Sequence, residues 1–210
     1  NEDGKPDLFI GSGGYHDYLG SDESLCDRLY LNDGNGVLIA QTDFPKYTIS
    51  TGTATVLDAN DDGFPDLFVG GKVIPGRYPE LPESKLLIND GTGKFSDQSD
   101  TFLPNQGKLG MITGAVSQDL NGDKKEDLIL VGEFLAPTAL INQNGKSFEN
   151  QSSSYFPENL SGWWSSLVQA DIDGDGDLDL IAGNFGLNSQ LVANSEKPIR
   201  LYANDFDQNG

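Results

Sequence analysis

Acidic residues recur along the chain at a spacing that suits a divalent cation. Three complete loops, beginning at Asp58, Asp119 and Asp171, carry oxygen-bearing side chains at their first, third, fifth and ninth positions. Calcium takes roughly six to eight oxygens from carboxylates, carbonyls and water. Because side chains on alternate residues of a tight loop point inward together, each loop predicts a calcium site. The main-chain carbonyl of the seventh position can add one further oxygen, since the side chain there varies.

The predicted ligands fall into three complete groups and two partial ones. The complete loops supply Asp58, Asn60, Asp62, Phe64 and Asp66; then Asp119, Asn121, Asp123, Lys125 and Asp127; then Asp171, Asp173, Asp175, Asp177 and Asp179. The partial loops near the two ends of the sequence supply Asn1, Asp3 and Asp7, and Asp205, Asp207 and Asn209. The loop at Asp171 has four acidic ligands, whereas the other complete loops have three and an asparagine. We therefore expect it to bind calcium most tightly.

Other interpretations of these loops fit less well. An EF-hand needs a bidentate glutamate at position twelve and flanking helices, but that position is Val69, Leu130 or Ala182 and the flanks have no helical period. Magnesium demands near-octahedral geometry, and one cysteine and one histidine are too few for zinc. Plain hairpin turns rich in Asp, Asn and Gly remain an alternative, although three copies at one spacing favour calcium.

The sequence around each loop also repeats. A β-prone stretch precedes the loop, and an apolar run ending in glycine follows it, at residues 8–11, 67–70, 128–132 and 180–183. A third run ends in asparagine and turns through Asp-Gly or Asn-Gly, which are strong hairpin signals. Four short antiparallel strands per unit describe an all-β propeller of four-stranded blades. The predicted units are 1–48, 49–107, 108–160 and 161–197, with the start of a further unit at 198–210.

These motifs resemble the FG-GAP/VCBS repeat of integrin α-subunit propellers. The strings Leu29-Tyr-Leu-Asn-Asp-Gly-Asn-Gly36 and Gly183-Asn-Phe-Gly-Leu-Asn188 are similar to bacterial secreted VCBS proteins and the cartilage-acidic-protein group. The resemblance implies calcium ligation by Asp58, Asn60, Asp62, Asp66 and their counterparts, in a propeller that is commonly seven-bladed and lies on or outside the cell. The sequence starts and ends inside acidic loops, so we expect about three and a half blades of a larger propeller.

Composition restricts the partners. The formal net charge of −20 argues against nucleic acid, whose phosphates need Lys and Arg, and against an anionic membrane surface. No stretch approaches the roughly 20 apolar residues of a membrane-spanning helix, so we expect no membrane insertion in this segment. Calcium sites of this kind suit the millimolar ion of the extracellular space. An extracellular, periplasmic or cell-surface location follows as an expectation.

Three further residues are candidates for function. A hydrolase would use His16 as a base, but no Gly-x-Ser-x-Gly motif accompanies it, so we expect no catalytic residue in this segment. Trp163 and Trp164 begin the strand before the third complete loop, and alternation sends one indole to the core and the other outward. Trp164 is predicted to be the core residue. Trp163, together with Tyr15 and His16, is a candidate ligand-binding residue.

The leading hypothesis is a non-enzymatic, calcium-stabilised propeller that binds a protein or a glycan. The alternative is the propeller domain of an extracellular carbohydrate-active enzyme, a polysaccharide lyase or hydrolase. A structural spacer is a third possibility and predicts no ligand. Neither the partner nor the oligomeric state follows from the sequence.

Overall fold

The chain folds into short antiparallel strands that form a series of stacked sheets. The computed structural model describes residues 3–15, 19–158, 160–186, 193–194 and 196–203. In chain order its strands are β1 (Leu8–Ile10), β2 (Arg28–Asn32), β3 (Leu38–Ala40), β4 (Ser50–Leu57), β5 (Asp66–Val73), β6 (Lys85–Asn89), β7 (Phe95–Asp97), β8 (Met111–Gln118), β9 (Asp127–Leu135), β10 (Thr138–Asn142), β11 (Phe148–Asn150), β12 (Gly162–Ala170) and β13 (Asp179–Asn184). Its two α-helices are four residues each, α1 (Ser99–Phe102) and α2 (Ser152–Tyr155). The predicted all-β class is confirmed.

The sheets follow the predicted meander. Sheet two has the order β4-β5-β6-β7 and sheet three the order β8-β9-β10-β11, each with antiparallel neighbours. Sheet one is β1-β2-β3, and sheet four is the hairpin β12-β13, whose first residues also pair with the end of β9. The described residues form no closed ring of sheets.

Consecutive sheets pack face to face, because their central strands are apolar on both faces. In β5, Leu67 and Val69 pack in the cluster shared with sheet one, whereas Phe68 points into the cluster shared with sheet three. In β9, Leu128 and Leu130 face sheet two, while Ile129 and Val131 face sheet four. The alternation of side chains along β5 and β9 thus fills the interfaces between sheets one and two, two and three, and three and four.

The first strands of sheets two, three and four lie side by side and run in the same direction. Ser117 Oγ donates to Val56 O at 2.9 Å, and Gln169 Nε2 donates to Ser117 O at 2.7 Å. Glycine allows this close approach: a Cβ on Gly52 would lie 2.2 Å from the main-chain oxygen of Ile112. The loops that follow these three strands are therefore neighbours at one end of the stack.

Candidate metal centre

Each complete acidic loop joins the first and second strands of a sheet, so adjacent sheets bring their loops into contact. The loop after β4 touches the loop after β8 through an ion pair between Asp61 and Lys125. Asn142 Nδ2 also donates to Ala59 O at 3.0 Å, and the Asp58 N–H donates to Glu126 Oε2 at 2.5 Å. One lysine and several polar groups thus bridge a region that is otherwise strongly acidic.

Main-chain amides shape the loop that begins at Asp58. The two carboxylate oxygens of Asp58 accept from the N–H groups of Asp62 at 3.1 Å and Gly63 at 2.9 Å. Asp62 Oδ1 accepts from the Phe64 N–H at 2.9 Å, and Asn60 Nδ2 donates to Asp62 Oδ2 at 2.7 Å. Asp and Asn side chains that accept from main-chain N–H groups two residues ahead stabilise tight turns, and here they fix the main-chain conformation of the loop.

The loop that begins at Asp119 repeats this geometry. The Asp119 carboxylate accepts from the N–H groups of Gly122 and Lys124, both at 2.8 Å. Asp123 accepts from the Lys125 N–H at 2.9 Å, and Asn121 Nδ2 donates to Asp123 Oδ2 at 3.0 Å. Two loops of different sequence therefore have one internal hydrogen-bond pattern, as their shared spacing of acidic residues predicts.

The ninth loop position is a buried carboxylate in both of these loops. Asp66 is 1% exposed and Asp127 is fully buried. Asp66 accepts from the N–H groups of Ala59 at 3.0 Å and Asn89 at 2.8 Å. Burial and, to a smaller extent, the nearby charges of Asp62 and Asp58 raise the pKa of Asp66 to about 6 against the opposing effect of the two amides. Burial raises the pKa of Asp127 for the same reason.

An asparagine at the end of the third strand connects each loop to the next hairpin turn. Asn89 Nδ2 donates to Pro65 O at 3.1 Å, and its Oδ1 accepts from the N–H groups of Gly91 and Gly93, both at 3.1 Å. Asn32 and Asn142 make equivalent contacts in sheets one and three. Sequence reasoning did not assign these asparagines a role, although their recurrence just before the Asp-Gly or Asn-Gly turns was visible.

Three carboxylates converge in the loop that begins at Asp171. Oxygens of Asp171, Asp173 and Asp179 all lie within 4.8 Å of one another, and the side chains are solvent-exposed or half-buried. Asp171 also accepts from the N–H groups of Gly174 at 2.7 Å and Gly176 at 3.2 Å. Asp175, the fourth predicted acidic ligand, is not in this group. The main-chain carbonyl of Asp177 stays a prediction. Within the part of the chain that the structure describes, no other set of three acidic residues converges as closely.

A family model described as "FG-GAP-like repeat" matches residues 1–69 and 119–182, which together make up more than half of the chain. The chain belongs to the FG-GAP-like repeat family. The predicted family is thereby confirmed. FG-GAP repeats indicate a β-propeller-like binding or adhesion module in general, and they typically occur in extracellular or cell-surface proteins. No curated protein matches the sequence.

Several predicted site residues of this FG-GAP-like chain lie outside the described residues, namely Asn1, His16, Asp205, Asp207 and Asn209. The other two predicted ligands of the first partial loop, Asp3 and Asp7, lie within the described residues. Asp3 accepts from the Lys5 N–H at 3.0 Å. Asp7 accepts from the Asn32 N–H at 2.9 Å, as Asp66 and Asp127 accept from the equivalent asparagines in the first two complete loops. No helix in the described ranges has the length and apolar character that a membrane crossing requires.

The candidate ligand-binding aromatics of the FG-GAP-like chain lie away from the acidic loops. Trp164 is half-buried and packs against the cluster of Ile129, Val131 and Leu167, so its predicted packing against the core is confirmed. Its Nε1 donates to Leu135 O at 3.0 Å. Trp163 is 45% exposed and points outward at the start of β12. Tyr15 is also half-exposed. Among the described residues, Tyr15 is not part of the lining of the cleft beside Trp163.

Proposed function

We propose that the chain is a non-catalytic, calcium-stabilised binding module of the β-propeller type, working outside the cell, in the periplasm or on the cell surface. The observation that carries the proposal is the convergence of Asp171, Asp173 and Asp179 within 4.8 Å, in a loop whose equivalents recur beside it at the same end of neighbouring sheets. Family membership supports the general class of module.

The donor chemistry of the loops fits calcium. Carboxylate and carbonyl oxygens are the ligands this ion prefers, and a tolerant coordination geometry suits loops of slightly different sequence. Asp171, Asp173 and Asp179 would hold the ion in the third complete loop. The equivalent ligands of the first are Asp58, Asn60, Asp62 and Asp66, with the carbonyl of Phe64. When bound, the ion would supply positive charge that offsets the repulsion among these carboxylates.

The arrangement of the sheets supports a propeller. Side-by-side first strands and face-to-face sheets are the relationships between successive blades of a propeller. In this proposal β4, β8 and β12 are the innermost strands of three blades. Further blades would cover the exposed apolar side chains of sheets one and four, such as Leu8, Ile10, Val168 and Ile181.

A calcium titration tests the proposal directly. Chelator-treated protein would be titrated with calcium by calorimetry, with its melting temperature followed in parallel. We expect one ion at each complete loop and a rise in melting temperature, since an ion at about 100 times its Kd stabilises the fold by about 2.7 kcal/mol per site. Magnesium at the same concentration is the control and should have a smaller effect. Absence of both binding and a thermal shift would overturn the calcium proposal.

A further inference from the structure

Three aromatic side chains form an exposed cluster at the end of the stack opposite the acidic loops. The rings of Phe134 and Trp163 are 5.3 Å apart between centroids, and those of Trp163 and Phe185 are 6.0 Å apart. Their exposed fractions are 37%, 45% and 50% respectively. We call Phe134, Trp163 and Phe185 the aromatic cluster. Large aromatic side chains bury much apolar area when covered, so these three adjacent, partly exposed rings are a candidate interaction site.

The main chain fixes the positions of these rings. Phe134 has a φ of 53°, in the left-handed region that a bulky residue rarely adopts. The Phe185 N–H donates to Trp163 O at 2.8 Å, which holds the third ring beside the second. The pairing of β12 with β9 shifts register between Gly162 and Trp163, where the indole turns outward. Unusual backbone conformations concentrate at functional sites.

Polar groups lie directly beside the cluster. Trp163 borders a cleft of about 180 Å³ that is also lined by Lys72, Thr113, Glu133 and Ser165. Lys72 can donate hydrogen bonds and Glu133 can accept them, while the hydroxyls of Thr113 and Ser165 can do both. The volume is below the roughly 300–1,000 Å³ of pockets for drug-sized ligands, so the cleft suits one small ring rather than a large cofactor.

We propose that the aromatic cluster and this cleft bind a neutral glycan. Sugar rings present C–H groups, whose hydrogens carry a partial positive charge and are attracted to the electron-rich faces of aromatic rings. Their hydroxyl groups would pair with Lys72, Glu133 and the hydroxyls of the cleft. A net charge of −20 disfavours polyanionic glycans. The cleft itself holds one cation and one anion, Lys72 and Glu133, so it favours no single sign of charge on the ligand. The inference deepens the proposed function, on which it rests, by naming the class of ligand and the residues that contact it.

The test uses the calcium-loaded chain and defined oligosaccharides. Cellohexaose, maltohexaose, mannohexaose and chitohexaose would be titrated by calorimetry, with hexagalacturonate as the charged comparison. The variants are Trp163→Ala and Phe185→Ala, and Tyr202→Ala is the matched control because Tyr202 is 72% exposed and makes no ring contact with the cluster. We expect at least one neutral hexasaccharide to bind, with its affinity lowered about tenfold by each cluster variant and unchanged by the control.

Each other outcome overturns the proposal. These outcomes are no binding of any neutral hexasaccharide, binding of hexagalacturonate alone, and binding that both cluster variants leave intact. The melting temperature of each variant shows whether it folds. If Trp163→Ala does not fold, the glycan affinity of Phe185→Ala alone tests the proposal. Calcium titration of the same samples separates the two proposals. Calcium binding without glycan binding would overturn only the glycan proposal and leave the calcium proposal intact.

Discussion

Asp66 accepts a hydrogen bond from the main-chain N–H of Asn89 at 2.8 Å, and this contact ties the end of an acidic loop to the third strand of its own sheet. The Asn89 side chain then reaches both Pro65 and the following hairpin turn. Asp127 and Asn142 repeat the relationship in the next sheet, also at 2.8 Å. Loop, strand and turn therefore form one hydrogen-bonded unit in sheets two and three.

Replacing Asn89 with alanine should destabilise this unit. Asn89 is 1% exposed, and its removal leaves the carbonyl of Pro65 and the amides of Gly91 and Gly93 without their partner. We expect the free energy of unfolding to fall by about 1–3 kcal/mol, measured by urea denaturation in the presence of chelator. Asn35→Ala, at an exposed turn position, is the control and should change it by less than about 0.5 kcal/mol. Equal effects of the two substitutions would contradict a specific role for Asn89.

Asp173→Ala should weaken calcium binding, because it removes one of three converging carboxylates. We expect a loss of affinity of at least about tenfold at one site and a smaller calcium-induced rise in melting temperature. Calorimetry of the variant measures both the affinity and the number of ions. Asp43→Ala removes an exposed acidic residue outside the loops and should leave both quantities unchanged. An unaltered calcium affinity in Asp173→Ala would count against the Asp171 loop as a site.

In the calcium-free protein, the contribution of Asp66 to stability should disappear as the pH rises from about 4 to about 6. The folded-state pKa of Asp66 is raised to about 6 from an ordinary 3.8, so the folded chain holds this proton more tightly than the unfolded chain does. The resulting stabilisation is complete below the unfolded pKa and disappears as the pH rises through the folded pKa. Asp127 shifts in the same direction and adds to the effect.

Thermal unfolding across this pH range, with chelator present, measures the slope of melting temperature against pH. In Asp66→Asn the fall in melting temperature between these pH values should be shallower than in the unaltered chain, even though the variant starts from a lower stability. Asp43→Asn should keep the original slope. Saturating calcium should also reduce the slope, because a bound cation favours the ionised carboxylate. A slope that Asp66→Asn leaves unchanged would assign the pH dependence to other groups.

Gly52→Ala should disturb the contact between the first strands of sheets two and three. The added Cβ would lie 2.2 Å from the main-chain oxygen of Ile112, a group that cannot move without shifting β8. We expect a loss of about 1–3 kcal/mol in the free energy of unfolding. Gly20→Ala is the matched control, since its Cβ would meet only the flexible side chain of Ile74 at 3.3 Å. Similar stability of both variants would argue against tight packing at this position.

The predictions from sequence succeeded where the signal is local. Short apolar runs and Asp-Gly or Asn-Gly turns predicted the strands and hairpins of sheets two and three. The repeated acidic spacing predicted loops with one internal hydrogen-bond pattern. Alternation along β12 correctly placed Trp164 against the core. The role of Asn89 was missed because it depends on the pairing of β6 with β5, which brings Asn89 against Asp66 from 23 positions away.

The sequence by itself determined the all-β class, the family and the residues able to offer oxygen to a cation, because these depend on alternation and spacing over about ten neighbouring positions. The tertiary structure decided which groups share an environment. Stacking of the sheets buries Asp66 and raises its pKa, whereas Asp173 stays in solvent. The same packing gathers Phe134, Trp163 and Phe185 from the ends of three strands. Burial and contact between distant residues depend on how the sheets pack, and no local pattern encodes that packing.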